Sequence, residues 1–277
     1  MAINVDPIIV QLGPLALRWY GLMYVVGIAV GLWVAIPYAR ALGLREEQWD
    51  PVIVPAIVAG LVGGRLYFVV QSDLGSYLRA PWRILEVWQG GMAFYGAVIG
   101  AVGTIVWVGW RRHLPIPALL DVAALFAAIG QAFGRIGNIV NGDIIGPPTT
   151  LPWGVVYANP HSFAPAHDIA YQPAAAYELL FNLLLIALLW RLRFRFRHRG
   201  LLFTTYLATY SLGQIILFTW RSNDVVLLGL KQAQVTALVA LVLCVPLAWL
   251  FTRQPPEDRP QDGDIAADTP HIARPAA

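Results

Sequence analysis

Seven stretches of about twenty mainly apolar residues constrain this chain more than anything else in it: 19–38, 51–70, 91–110, 117–140, 173–190, 201–220 and 233–251. About twenty residues of helix cross the hydrocarbon core of a bilayer. Inside lipid each backbone N–H and C=O must be satisfied within its own segment, so such stretches fold as helices. The expected fold class is an all-α polytopic membrane protein with about seven transmembrane helices. Charged residues make up 13% of the chain, against about a quarter in soluble domains, which excludes a soluble fold. The lone Cys244 sits among Val, Leu and Pro and reads as packing, with no disulfide framework. The first cation is Arg18, so no basic leader precedes the apolar runs and no cleavable signal peptide is expected.

The cations set the expected orientation. The connections 39–50, 111–116 and 191–200 carry Arg40, Arg45, Arg111, Arg112, Arg191, Arg193, Arg195, Arg197 and Arg199. The opposite set carries only Arg18, Arg79, Arg83, Arg221 and Lys231. Cytoplasmic loops hold the excess of Lys and Arg. The N-terminus is therefore expected outside and the C-terminus in the cytoplasm. Arg191–Arg199 alternates with Leu and Phe beside a membrane helix. It reads as an anchor on anionic lipid rather than a nucleic-acid patch, and no nucleic-acid partner is expected. The first thirteen residues are too short to span and are expected to lie at the interface. The loop 141–172 reads as a small outer cap. Residues 1–253 form one transmembrane domain, and 254–277, rich in Pro, Asp and Ala, read as a disordered cytoplasmic tail. No internal repeat is visible, which argues against the duplicated transporter folds.

Polar residues at membrane depth are costly and mark sites. Gly134-Arg135-Ile136-Gly137-Asn138 leads into Asn141-Gly142-Asp143, and Arg135 and Asn138 share a helix face. Arg18-Trp19-Tyr20-Gly21, Gly63-Gly64-Arg65-Leu66-Tyr67 and Gly90-Gly91-Met92-Ala93-Phe94-Tyr95-Gly96 fall at the same expected depth, toward the outer leaflet. Tyr177-Glu178 opens the fifth span; Tyr210, Gln214 and Arg221 close the sixth. Each has a structural reading. Arg18 and Arg221 can snorkel, Arg65 can pair with Glu178, Arg135 can pair with Asp143, the tyrosines can be belt aromatics, and the glycines can be helix packing. Arginines from several helices meeting at one depth favour an anion site, and the anion at hand in lipid is a phospholipid headgroup.

In order and spacing, Arg18-Trp19-Tyr20-Gly21-Leu22-Met23-Tyr24, Gly63-Gly64-Arg65, Trp88-Gln89-Gly90-Gly91-Met92, Gly134-Arg135-Ile136-Gly137-Asn138 and Tyr177-Glu178 resemble the bacterial prolipoprotein diacylglyceryl transferase family, from about residue 6 to 250. The resemblance implies a bacterial inner-membrane enzyme with no cofactor and no metal. It implies transfer of the diacylglyceryl group of phosphatidylglycerol to the lipobox cysteine of a preprolipoprotein signal peptide. A thioether forms and glycerol 1-phosphate leaves. Carried over, Arg135 holds phosphate, Asn138 and Gly146 shape that site, and Tyr20 and Tyr67 line the cavity. The candidate lipid-binding set adds Asn141, Arg65, Tyr210 and Gln214; the candidate catalytic set is Arg135, Tyr95 and Arg221.

The chain departs from the family pattern at five positions. Tyr95 stands where many members have a histidine proposed as base, and tyrosine with a pKa near 10 is a weaker base at neutral pH. Gln214 and Phe218 replace an arginine and a glutamate, Asp143 a glutamate, and Ala175 a glutamine. Arg221, two turns beyond Gln214 on the same face, or Arg65, is expected to supply the missing charge. The alternative reading is a non-catalytic lipid- or signal-peptide-binding relative.

Overall fold

The structure, a computed structural model, describes residues 1–13, 15–87 and 90–256. Trp88 and Gln89, and the expected tail from 257 onward, lie outside the described residues. Helices form at α1 (Trp19–Ala41), α2 (Glu46–Gln71), α3 (Leu74–Arg79), α4 (Phe94–Arg112), α5 (Ile116–Asn141), α6 (Ala174–Leu192), α7 (Leu201–Leu217) and α8 (Gln232–Thr252). All but the short α3 are long and apolar enough to cross a membrane, α7 with its 3-10 extension to Trp220. These are the seven spans read from the sequence. α2 starts before its apolar stretch because Glu46 and Glu47 occupy its first turn, where the helix dipole favours negative charge.

Helices α5 and α7 form the centre, with half of each buried, while the others turn most of their surface outward. Ala124, Leu125 and Ala128 on α5 have no exposure at all. Trp33, Leu184, Val242 and Val245 stand exposed on the outside of the bundle, as suits side chains solvated by lipid. The α2–α4 pair meets backbone to backbone, since a Cβ on Gly63 would strike the Gly96 carbonyl and one on Gly100 the Ala59 carbonyl. Small residues permit this approach, which is how membrane helices gain contact without a hydrophobic driving force. α7 is capped by another helix. Asp121 of α5, 3% exposed, accepts the backbone N–H groups of Gly200 at 2.7 Å and Phe203 at 2.8 Å, donors that the first turn of any helix leaves open.

The short strands were not legible in the sequence. β1 (Ala2–Ile3) pairs parallel with β4 (Val155–Tyr157), which pairs antiparallel with β5 (Ala170–Tyr171). The expected cap is therefore built from 141–172 together with the first residues of the chain. It has its own small core of Val155, Tyr157, Ala164 and Tyr171, with Ile3 and Ile145 against it. Two hairpins, β2 (Ile8–Leu12) with β3 (Leu15–Arg18) and β6 (Val225–Leu227) with β7 (Leu230–Lys231), flank α1 and α8. Helix connectivity puts the three arginine-rich connections on the face opposite the cap.

Candidate functional site

At the cap end of α5 a buried ion cluster forms around one carboxylate. Glu178, in the first turns of α6 and 2% exposed, receives Arg135 Nη2 on Oε2 at 2.6 Å and Arg221 Nη1 on Oε1 at 3.2 Å. Arg135 Nη1 donates to Asn138 Oδ1 at 3.1 Å, and Asn138 Nδ2 donates to both oxygens of Asp143 at 3.1 Å. The order is Asp143, Asn138, Arg135, Glu178, Arg221: two cations and two anions, formally neutral. Asp143 reaches back over α5 because Gly142 ends the helix at φ 72°, in the left-handed region that glycine accepts without strain. Burial pushes the Asp143 carboxyl above the usual range, and the Asn138 amide opposes the shift. Burial pulls the Arg221 guanidinium down, and Glu178 opposes that.

Two of the structural readings give way here. Glu178 pairs with Arg135 and Arg221, not with Arg65. Arg135 reaches Asp143 through Asn138 and not directly. Arg65, 6% exposed, donates instead to the carbonyls of Ile84 (2.8 Å), Gly90 (2.6 Å), Gly91 (2.9 Å), Arg83 (2.8 Å) and Glu86 (3.4 Å). Its whole fork of donors holds the backbone of Arg83, Ile84, Glu86, Gly90 and Gly91 in place.

The remaining residues close around the cluster. Tyr20, Tyr24 and Tyr210 lie within electrostatic reach of Arg135. The Tyr20 and Tyr24 hydroxyls are 2.9 Å apart, and α1 comes this near because a Cβ on Gly137 would sit 2.9 Å from Tyr20 Cα. Arg18 Nη1 donates to Asn141 Oδ1 and to the His161 carbonyl, both at 3.2 Å, with its guanidinium 4.1 Å above the Phe163 ring. Between Arg18, Tyr20, Asn141 and Phe163 opens a cavity of about 90 Å³. Gly146 lies where the cap crosses the end of α7, and a Cβ there would strike the Trp220 carbonyl. Arg221 lies over the Phe218 ring at 4.5 Å. Lys231 Nζ donates to the Phe218 carbonyl at 2.7 Å and also to that of Arg221, fixing the backbone that presents Arg221. Gln214 is buried at 3%. Tyr95 lies beside Ser211 and near Tyr67. Ala175 is fully packed, its N–H on the Ile144 carbonyl at 3.2 Å.

Sequence reasoning missed the centrality of Glu178, the tyrosine pair at 20 and 24, and several polar side chains one turn further in. The available signal was spacing: Glu178 and Asn182, Gln131 and Arg135, and Tyr206, Tyr210 and Gln214 are each four apart and share faces. Among the described residues no group of three His, Cys, Asp or Glu gathers as a metal site.

Fold and geometry thus define a seven-helix integral membrane protein with an arginine–carboxylate cluster buried at one end of its bundle. The chain belongs to the prolipoprotein diacylglyceryl transferase family, whose model matches residues 7–250. A Rhodospirillum centenum protein named phosphatidylglycerol–prolipoprotein diacylglyceryl transferase is 36% identical over 262 residues, covering 91% of this chain and 92% of its own. A Paracidovorax citrulli protein of the same name is 32% identical over 269 residues, 91% of this chain and 97% of its own. One from Synechococcus elongatus is 33% identical over 253 residues. Family and spans make this a multi-pass protein of the bacterial inner membrane.

Proposed function

We propose that the protein transfers the diacylglyceryl group of phosphatidylglycerol to the lipobox cysteine thiol of preprolipoproteins. The observation that carries the reading is the convergence of Arg135 and Arg221, from different elements, on one buried anionic group. The Glu178 carboxylate marks where a phosphodiester would bind: two guanidinium forks matched to two oxygens. In the reaction the thiol loses its proton, since the thiolate is the nucleophile. Sulfur bonds to the terminal glyceryl carbon as that carbon's bond to the phosphate oxygen breaks, the electron pair leaving with oxygen. Glycerol 1-phosphate departs, and the thiol's proton ends on that phosphate or in water. The arginines stabilise the charge that develops on the leaving group. Asn138, oriented by Asp143, fixes the Arg135 fork, while Asn141, Gly146, Tyr20, Tyr67 and Tyr210 shape the space around it.

Arg221 supplies the charge that Gln214 lacks. Arg65 supports the wall formed by 83–86 and by Gly90 and Gly91. Tyr95 orients phosphate or thiol. The cap face is the outer one and the arginine-rich face the cytoplasmic one, by the nine cations against five, and 1–253 act as a single transmembrane domain. A binding-only relative is the second reading, favoured by Tyr95, Ala175, Gln214 and Phe218. Purified protein, labelled phosphatidylglycerol and a lipobox peptide separate the two. The wild type transfers label, and Arg135→Gln and Arg221→Gln each lower the rate by about 100-fold or more. Absence of transfer by the correctly inserted wild type supports the second reading, and full activity of Arg221→Gln removes Arg221 from the site.

A further inference from the structure

Arg221 stands on backbone that no helix holds. α7 ends at Leu217, a 3-10 turn covers Phe218–Trp220, and Arg221 is extended, at φ −99° and ψ 150°. Two neighbours pin this stretch instead. On the cap side the Ser222 N–H donates to the Ile145 carbonyl at 3.4 Å. On the other side lies the start of α8. Lys231 Nζ donates to the Phe218 carbonyl at 2.7 Å and to the Arg221 carbonyl. Gln234, 5% exposed, uses both ends of its amide. Its Oε1 accepts the Lys231 N–H at 2.9 Å, and its Nε2 donates to the Ile215 carbonyl of α7 at 2.8 Å. The chain between Arg221 and Lys231 closes on itself, with Val225 paired to Lys231 in the β6–β7 hairpin.

The residue type at 231 is explained by α7 and not by α8. Lys231 is the N-cap of α8, a place where Ser, Thr, Asp and Asn are preferred and where the positive end of the helix dipole disfavours a cation. The ammonium gains energy where it points. The end of α7 is the negative end of that helix, and its last carbonyls lack partners within it. Hydrogen bonds from an ammonium to carbonyls are charge-assisted and stronger than neutral ones. One of the two falls on the main chain of Arg221 itself, whose guanidinium meets Glu178 at 3.2 Å. Gln214 brings no charge, so Arg221 is the second cation of the cluster. Its planar fork acts only when aimed, and a small misplacement of a charged group weakens a reaction strongly.

We propose that Lys231, locked in place by Gln234, is a positioning residue for the transfer: it holds the main chain of Arg221 so that the guanidinium faces the phosphate. The inference rests on the transferase reading of the ion cluster. It brings α8, which supplies no side chain to that cluster, into the reaction.

The test is a double-mutant cycle on full-length detergent-purified protein: wild type, Lys231→Met, Arg221→Gln and the pair together. Each is assayed for transfer from labelled phosphatidylglycerol to a lipobox peptide and for thermal unfolding. Lys231→Met keeps the side-chain stem and removes the donors. It is expected to lower kcat on the order of tenfold, with KM changed less than about threefold, because Arg221 acts on charge that develops as phosphate leaves. In the Arg221→Gln background the same change should cost less than about twofold in kcat, while it lowers the melting temperature as much as in wild type. Lys231→Arg, which restores charge and donors, should recover most of the rate. Wild-type kcat in Lys231→Met, or the same fold loss in both backgrounds, overturns the proposal and leaves Lys231 as a cap of α7 alone. Absence of transfer by wild type refutes the transferase reading instead. The clamp is then decided by binding of phosphatidylglycerol to the same four proteins in native mass spectrometry. Lys231→Met should weaken it several-fold in wild type and not in Arg221→Gln, and equal weakening in both overturns the clamp.

Discussion

Replacing Glu178 with Gln keeps the shape of the side chain and removes the one charge that both arginines share. In the wild type Arg135 and Arg221 lie 2.6 Å and 3.2 Å from its two oxygens. Asp143 acts on Arg135 only through Asn138. The formal charge of the cluster rises from zero to +1, in a side-chain environment only 14–15% exposed at the arginines. Removing one partner of a buried ion pair costs about 3–5 kcal/mol, because it leaves an uncompensated charge. A change of about 3 kcal/mol in a chain of this size lowers the melting temperature by roughly 6–12 °C. A phosphodiester carries the charge that Gln lacks. Phosphatidylglycerol should therefore rescue the variant, and a ligand at about one hundred times its Kd contributes about 2.7 kcal/mol. The assay is thermal unfolding in lipid-free detergent, then with phosphatidylglycerol, then with diacylglycerol, which has no phosphate. The variant should lose stability without lipid, recover most of it with phosphatidylglycerol, and gain little from diacylglycerol. A variant as stable as wild type without lipid, or one that responds to the lipids as wild type does, refutes the reasoning.

Three other outcomes are expected. Asp121→Asn replaces a carboxylate that caps two backbone N–H groups. It should cost about 1–2 kcal/mol in thermal unfolding without altering the response to phosphatidylglycerol. Arg65→Lys keeps the charge but cannot reach five carbonyls from one nitrogen, so limited proteolysis at 83–86 should become faster while the spans stay protected. Asp143 has a folded-state pKa raised by burial, so the native state holds its proton longer than the unfolded one does. Its contribution is fully present below the ordinary carboxyl value, about 3.9, and is lost as pH rises through the elevated value. The melting temperature of Asp143→Asn, compared with wild type across that window, should show the wild type falling relative to the variant as pH rises. Parallel curves would contradict the assigned direction.

The spans were legible because lipid leaves a twenty-residue apolar segment no other fold. Their ends were less so: α2 gains a polar first turn at Glu46 and Glu47, and α1 runs on to Ala41 through Arg40. The short strands escaped because pairings of two or three residues leave no alternation to read. At the site, sequence showed which arginines lie at one depth but not which acceptor each finds. Arg65 binds main-chain carbonyls, which carry no residue-type signal. Glu178 was visible, yet its partners depend on how α5 and the end of α7 turn around α6. Tyr206, Ser211, Gln131 and Asn182 escaped notice because single neutral polar residues barely alter the hydropathy of an apolar run.

The Asp121 cap has a mechanical consequence. It fastens the start of α7 to α5 at the arginine-rich end of the bundle, while Arg135 and Arg221 are carried at the other end of the same two helices. A tether at one end of two long rods converts sliding into rotation about that point. Separation of α5 and α7 is therefore a scissor motion, widest where the ion cluster sits. A small change in crossing angle at Asp121 is magnified along about fourteen residues, roughly 21 Å of helix, before it reaches Arg135. Glu178, which receives both guanidinium groups, braces the far end of that lever.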